Sequence, residues 1–173
     1  MPYAISLPLQ YGETPLPELH RALHANLYAW FAAADADLAD DLHRQPVRKP
    51  FTLSPLMGHA GEGRALRVAL LEDDLWEPFQ AGLAARPFAD LLGPAVTLAM
   101  GRLGGYHRSY QELLEGASTD TRIALRFLTS TCFKAGDLDS PLPEPHSMIR
   151  SWLSRWSQYA PPPLRVNVAL VDV

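Results

Sequence analysis

The chain has one cysteine, Cys132, among 173 residues. No internal disulfide can form, and a single thiol cannot hold a structural zinc. Long apolar runs are also missing. Nothing approaches the roughly 20 residues needed to span a bilayer, so no membrane is expected. The start, Met1-Pro2-Tyr3-Ala4-Ile5-Ser6, lacks the basic region and apolar stretch of a signal peptide. A reducing cytoplasm is the expected compartment. Positive charge is in deficit, with 15 Lys and Arg against 19 Asp and Glu, a net charge of −4. That argues against broad affinity for nucleic acid, although a local basic face is enough to hold phosphate. The segment Gly58 to Gly63 lacks Gly-Lys-Ser/Thr and is a turn, not a phosphate loop.

What is present supports a folded chain. Hydrophobic residues make up 47% and charged residues 20%, enough for a real core and unlike a disordered tail. The length allows one good-sized domain or two small ones. Charges of each sign are separated along the chain. Arg44, Arg48 and Lys49 fall within six residues, followed by Arg64 and Arg67. Acids gather at Asp35, Asp37, Asp40 and Asp41, and again at Glu72, Asp73 and Asp74. An acidic protein can therefore carry one basic face.

Periodicity gives the elements. Ala4 to Leu9 alternates as a strand, with Pro8 at an edge or strand end. Leu16, Leu19, Leu23, Leu27, Trp30 and Phe31 form a helical stripe, with Pro17 in its first turn. His20, His24 and Tyr28 line its flank. A short helix over 36–43 follows, and Pro46 and Pro50 hold an extended loop. Phe51 to Met57 and Arg64 to Leu71 predict a hairpin. Asp73 or Asp74 precedes a helix containing Leu75, Trp76, Phe79 and Leu83, which Pro87 stops. Ala95 to Met100 predicts the next strand. The order is β-α-β-β-α-β, the ferredoxin-like (RRM-like) plan of an α+β protein. The pattern then restarts: a helix over 109–115, a strand over 122–129, a helix over 146–159 with Met148, Ile149, Trp152, Leu153 and Trp156 on one face, and a strand over 164–171. The expected boundaries are 1–108 for a first ferredoxin-like domain and 109–173 for a partial second one.

Tyr28, His43 and Lys49 are 15 and then 6 residues apart. A phenol, an imidazole and an ammonium can cleave RNA with no metal. One group takes the 2′-hydroxyl proton, one protonates the departing 5′-oxygen, and one steadies charge on the phosphate. His20 and His24 lack the Glu of His-Glu-x-x-His and an evident third ligand, so no metal site is expected.

Several segments together resemble the CRISPR-associated endoribonucleases of the RAMP superfamily, the Cas-six family. Leu42-His43 followed by Lys49-Pro50-Phe51-Thr52-Leu53-Ser54-Pro55-Leu56 is similar to the family's entry into its second strand. Phe127-Leu128-Thr129-Ser130-Thr131-Cys132-Phe133 is similar to the strand that opens its second domain, with Ser130 where Pro is common. Leu142-Pro143-Glu144-Pro145 with Trp152-Leu153-Ser154-Arg155-Trp156 is similar to the helix that follows. The resemblance implies tandem ferredoxin-like domains, CRISPR repeat RNA as partner and no cofactor. It also implies metal-free 2′-hydroxyl attack leaving a 2′,3′-cyclic phosphate. Tyr28 would be the base, a role that a phenol of about 10 fills only if a nearby cation such as Lys49 lowers it. His43, with an ordinary imidazole value of ~6.5, would be the acid and Lys49 the clamp. Arg44, Arg48, Arg64 and His24 are the expected RNA contacts. The family's glycine-rich loop has no counterpart after Gly136, so the second domain is expected to be cut short.

Two other functions fit the same residues. One is a non-catalytic RNA-binding or scaffold subunit of a CRISPR effector complex. The other is an interaction module whose open sheet edge pairs with another chain, for instance as a homodimer.

Overall fold

A computed structural model describes residues 2–9, 16–44, 49–56, 64–89, 96–97, 104–120, 122–125, 127, 133–135, 138–160 and 164. The elements begin with β1 (Tyr3–Leu9), α1 (Leu16–Ala34), α2 (Ala36–Arg44), β2 (Phe51–Leu56) and β3 (Arg64–Leu70). A 3-10 turn (Asp73–Leu75) leads into α3 (Trp76–Ala85). Then come β4 (Phe88–Ala89), β5 (Val96–Thr97), β6 (Gly104–His107), α4 (Tyr110–Glu115), β7 (Phe133–Ala135), β8 (Leu138–Ser140) and α5 (Pro145–Tyr159). The chain divides into two compact units, Met1–Gln111 and Glu112–Val173.

The first unit is built on one antiparallel sheet in the order β2-β3-β1-β6. This is the ferredoxin-like arrangement, in which each helix crosses between parallel strands that are separated by a third. Alternation fixes the faces. Ile5 and Leu7 of β1 and Leu66, Val68 and Leu70 of β3 are buried, whereas Arg67 between them is exposed. α1 covers this face with Leu23, Leu27, Trp30 and Phe31, all fully buried. α3 adds Phe79 and Leu83 to the same cluster. The two helices meet closely at Gly82, where an added Cβ would lie 1.8 Å from the Trp30 carbonyl oxygen. Only a glycine fits there without displacing a helix.

Proline placement follows the ladder. Pro55 lies in β2, an edge strand, and Pro8 lies where β1 runs beyond its β6 partners, which stop at Ser6. A missing N–H is harmless at both places.

The fourth strand differs from the sequence expectation. Of 95–100, Val96–Thr97 pairs with Phe88–Ala89 in a separate ribbon. Gly104–His107 takes the edge of the main sheet beside β1 instead. Two glycines hide this strand from propensity. Gly105 is there because an added Cβ would sit 2.5 Å from the Ala4 carbonyl oxygen.

In the second unit, β7 and β8 form a short antiparallel ribbon. α5 starts at Pro145, with Glu144 as its cap: the carboxylate accepts from the backbone N–H groups of His146 and Ser147. Of the expected strand over 122–129, Arg122 to Leu125 and Phe127 are outside any strand. Of the expected strand over 164–171, all but Leu164 lies outside the described residues, as do Gly58 to Gly63 and Cys132.

Candidate active site

α1 and α2 are held in a tight corner. Asp35 separates them and caps α2, its carboxylate accepting from Leu38 N–H at 3.0 Å. Ala39 and Leu42 bury the inner face of α2. This packing brings its last turn, which carries His43, back against the Tyr28 flank of α1. The Tyr28 and His43 ring centroids are 5.2 Å apart, edge to face. His24, one turn before Tyr28, is also 5.2 Å from the phenol ring, again edge to face. Phe51 at the start of β2 closes the floor, 5.8 Å from Tyr28 and 6.0 Å from His24.

Lys49 completes the group from the strand side. Leu71 N–H donates to the Pro50 carbonyl at 2.7 Å, fixing the chain beside Lys49 to the sheet. The Lys49 ammonium lies 6.0 Å from the Tyr28 ring centre. It donates to the carbonyls of Leu42 and His43, at 2.5 Å and 2.9 Å. Those carbonyls are at the C-terminal end of α2, where helix groups lack intrahelical partners and a cation is favoured. Lys49 thus fastens the turn that carries His43.

Arg21, His24, Ala25, Tyr28, His43 and Lys49 line one cleft of about 480 Å³. Arg21 is the residue the sequence reading missed. The available signal was its spacing, three before His24 and seven before Tyr28, which puts all three on one helix flank. His43 and Arg21 are exposed, while His24, Tyr28 and Lys49 are half-buried.

A Tyr28 base requires a nearby cation such as Lys49 to bring the phenol down. Burial instead pushes it above its ordinary value of 10.0. The partly desolvated ring disfavours the phenolate, and at neutral pH Tyr28 keeps its proton.

The other expected contacts are less central. Arg44 is exposed beyond the cleft lining, paired with Asp41 at 3.1 Å and donating to the Asp40 carbonyl at 3.3 Å. Arg64 begins β3 opposite Leu9, and its side chain lies outside the described set, as does all of Arg48. The side chain of His20 is likewise not described. Among the described residues, no group of three or more His, Cys, Asp or Glu could hold a metal ion. No helix among them is long and apolar enough to cross a membrane.

A four-stranded sheet backed by two helices, with a phenol, two imidazoles and two cations around one cleft, defines an α+β protein of the ferredoxin-like class with acid–base groups at its sheet edge. Residues 125–171 match the family model of the CRISPR-associated endoribonuclease Cas6. A solved structure described as a Cas6 (TTHB231) product complex superposes with a TM-score of 0.77 at 32% identity, over 95% of this chain and 68% of that one. The chain belongs to the Cas6 family of endoribonucleases, which act in CRISPR RNA processing. A second structure, a Cas6 (TTHA0078) product complex, superposes with a TM-score of 0.68 at 25% identity, over 98% of this chain and 68% of that one. No curated protein matches the chain.

Proposed function

We propose that this chain is a cytoplasmic, metal-independent endoribonuclease that cuts CRISPR repeat RNA. The 2′-oxygen attacks the adjacent phosphorus, the P–O5′ bond breaks, and the products carry a 2′,3′-cyclic phosphate and a 5′-hydroxyl. The observation that carries the reading is the convergence of Tyr28, His43 and Lys49, with His24, on one cleft.

The raised Tyr28 phenol changes the division of labour. His24 takes the 2′-hydroxyl proton as a neutral imidazole, and Tyr28, still protonated, orients the attacking group. The His43 imidazolium gives its proton to the 5′-oxygen. Solvent then exchanges the proton gained by His24 for the one lost by His43. Lys49 holds the His43 turn and places positive charge beside the phosphate as it becomes more negative. Arg21, exposed at the rim, meets an RNA phosphate. Unpaired or hairpin-flanking RNA fits the cleft better than a duplex, whose deep groove conceals its base edges.

The test is cleavage of end-labelled repeat RNA in EDTA. Wild-type protein is expected to leave cyclic-phosphate ends. His43→Ala and His24→Ala are expected to lose about 10²- to 10⁴-fold in rate, the usual worth of a proton-transfer group. Tyr28→Phe is expected to lose only about tenfold, comparable to one positioning hydrogen bond. A general acid and a general base working together give a bell-shaped dependence of rate on pH. A Tyr28 base would instead make Tyr28→Phe as costly as His43→Ala, about 10²- to 10⁴-fold. Binding without cleavage by wild-type protein would favour the non-catalytic RNA-binding subunit.

A further inference from the structure

Three rings form a column at the far side of the sheet from the cleft. Tyr3 in β1 and His107 in β6 are cross-strand partners, with centroids 4.2 Å apart and planes 21° apart. Trp76, the first residue of α3, is 4.5 Å from Tyr3 with planes 9° apart. A phenol has two faces, and each accommodates one parallel ring at such separations. The order is therefore Trp76, Tyr3, His107.

The two ends of the column are unlike. Trp76 is half-buried against the core. Beside it in the chain stand Glu72, Asp73 and Asp74, and the Glu72 carboxyl is pushed up by burial and then by the Asp74 charge. A phosphate chain is repelled at that end. His107 is exposed, on a four-residue edge strand, and is followed by the exposed Arg108. Tyr3 covers one face of its imidazole, so the exposed face is the other. A π-face next to a cation is what a splayed nucleic-acid base requires, and it tolerates any base.

The column is in register with the cleft. Phe51 pairs with Leu70, Leu70 with Tyr3, and Tyr3 with His107. Phe51 is the ring that touches Tyr28 and His24. Three interstrand steps of about 4.8 Å separate the backbones of His107 and Phe51 by roughly 14 Å. Leu70 between them is buried, so an RNA that joins the two sites passes around the strand ends and not along this row.

We infer that the outer face of His107 is a stacking position for one unpaired base of RNA bound at the His24–Tyr28–His43 cleft, with Arg108 meeting the adjoining phosphate. This rests on the endoribonuclease reading above. The site extends the RNA footprint from the helix side of the cleft to the opposite edge of the sheet.

The probe is a repeat RNA that the wild-type protein cuts, with a 2′-deoxynucleotide at the cut position so that it binds without reacting. Fluorescent 2-aminopurine is placed at successive positions. In wild-type complexes one position is expected to be quenched by stacking. His107→Ala is expected to abolish that quench and weaken binding about five- to tenfold, the low end of a base–aromatic stack. His107→Trp, with a larger π-face, is expected to restore both. Thermal melts of both variants show that the fold is kept, since His107 is exposed. Equal affinity and unchanged quenching in His107→Ala, with wild-type cutting intact, would overturn this inference alone. Wild-type protein that neither binds nor cuts any repeat RNA would overturn the endoribonuclease reading and this site with it.

Discussion

Residues 1–111 and 112–173 dispose of their large apolar side chains in opposite ways. In the first unit Trp30, Phe31 and Phe79 are fully buried together, with Leu23, Leu27, Leu66 and Leu70 around them. In the second, the buried hydrophobics among the described residues are Met148 and Ala160. Ile123 and Leu142 are each 72% exposed, and Trp152 is 48% exposed. The two units are consequently held by different physics. In the first, the cleft side chains of α1 and α2 project from helices that also bury residues in the core, and Lys49 stands just before β2, so the cleft inherits the rigidity of that core. In the second, the described order rests on local devices: a short ribbon, and a helix whose first turn is capped by Glu144.

That contrast can be broken or sharpened by substitution. Phe79→Ala should cost about 3–5 kcal/mol in chemical denaturation, because it empties the centre of the aromatic cluster. Gly82→Ala should cost roughly 1–3 kcal/mol, because the new methyl meets the Trp30 carbonyl and forces α3 away from α1. Lys49→Met should make amide exchange in the last turn of α2 about tenfold faster, the loss of roughly one net hydrogen bond, with no change in residues 112–173.

The pH response should separate the units further. Hydrogen bonds from Ser147, then from His146, hold the Glu144 carboxyl down to about 2, against an ordinary 4.5. Its folded value is the lower one, so its contribution to α5 is complete above pH 4.5 and disappears as pH falls toward 2. Helix content lost in that window should be absent in Glu144→Gln, which has already lost the charge. Tyr28 works at the other extreme. Its raised phenol favours the folded state below pH 10, and that advantage is lost as pH climbs through the folded value. The smallest effect belongs to Trp152→Ser, within about 0.5 kcal/mol, because the ring is already half in water. A cost there matching that of Phe79→Ala would erase the contrast.

The sequence was most readable where burial has a period. The α1 stripe, the β2–β3 hairpin and the helix over 145–159 all follow from it. The meeting of Tyr28, His43 and Lys49 was suggested by spacing and resemblance. Three features were not readable. β6 is formed by Gly-Gly-Tyr-His, which has little strand propensity, and its place depends on a close backbone approach at Ala4 that composition cannot reveal. The rise of the Tyr28 phenol is another, because the burial that causes it comes from groups distant in the chain. The phenol is desolvated by Phe51 and the end of α2, which are 23 and about 15 residues away in the chain. The acceptors of Lys49 were equally hidden, since nothing in Lys49-Pro50-Phe51 says that the ammonium turns toward carbonyls.

The row Phe51, Leu70, Tyr3 and His107 is also a ruler. Side chains can swing, but the gap between neighbouring strands is set by backbone hydrogen bonds and scarcely varies. Phe51, which floors the cleft, and His107, at the opposite edge, therefore keep a constant separation, with Leu70 buried between them. The sheet that shapes the cleft cannot stretch or shorten without breaking its own ladder, so any adjustment to a ligand falls to side chains at its two edges.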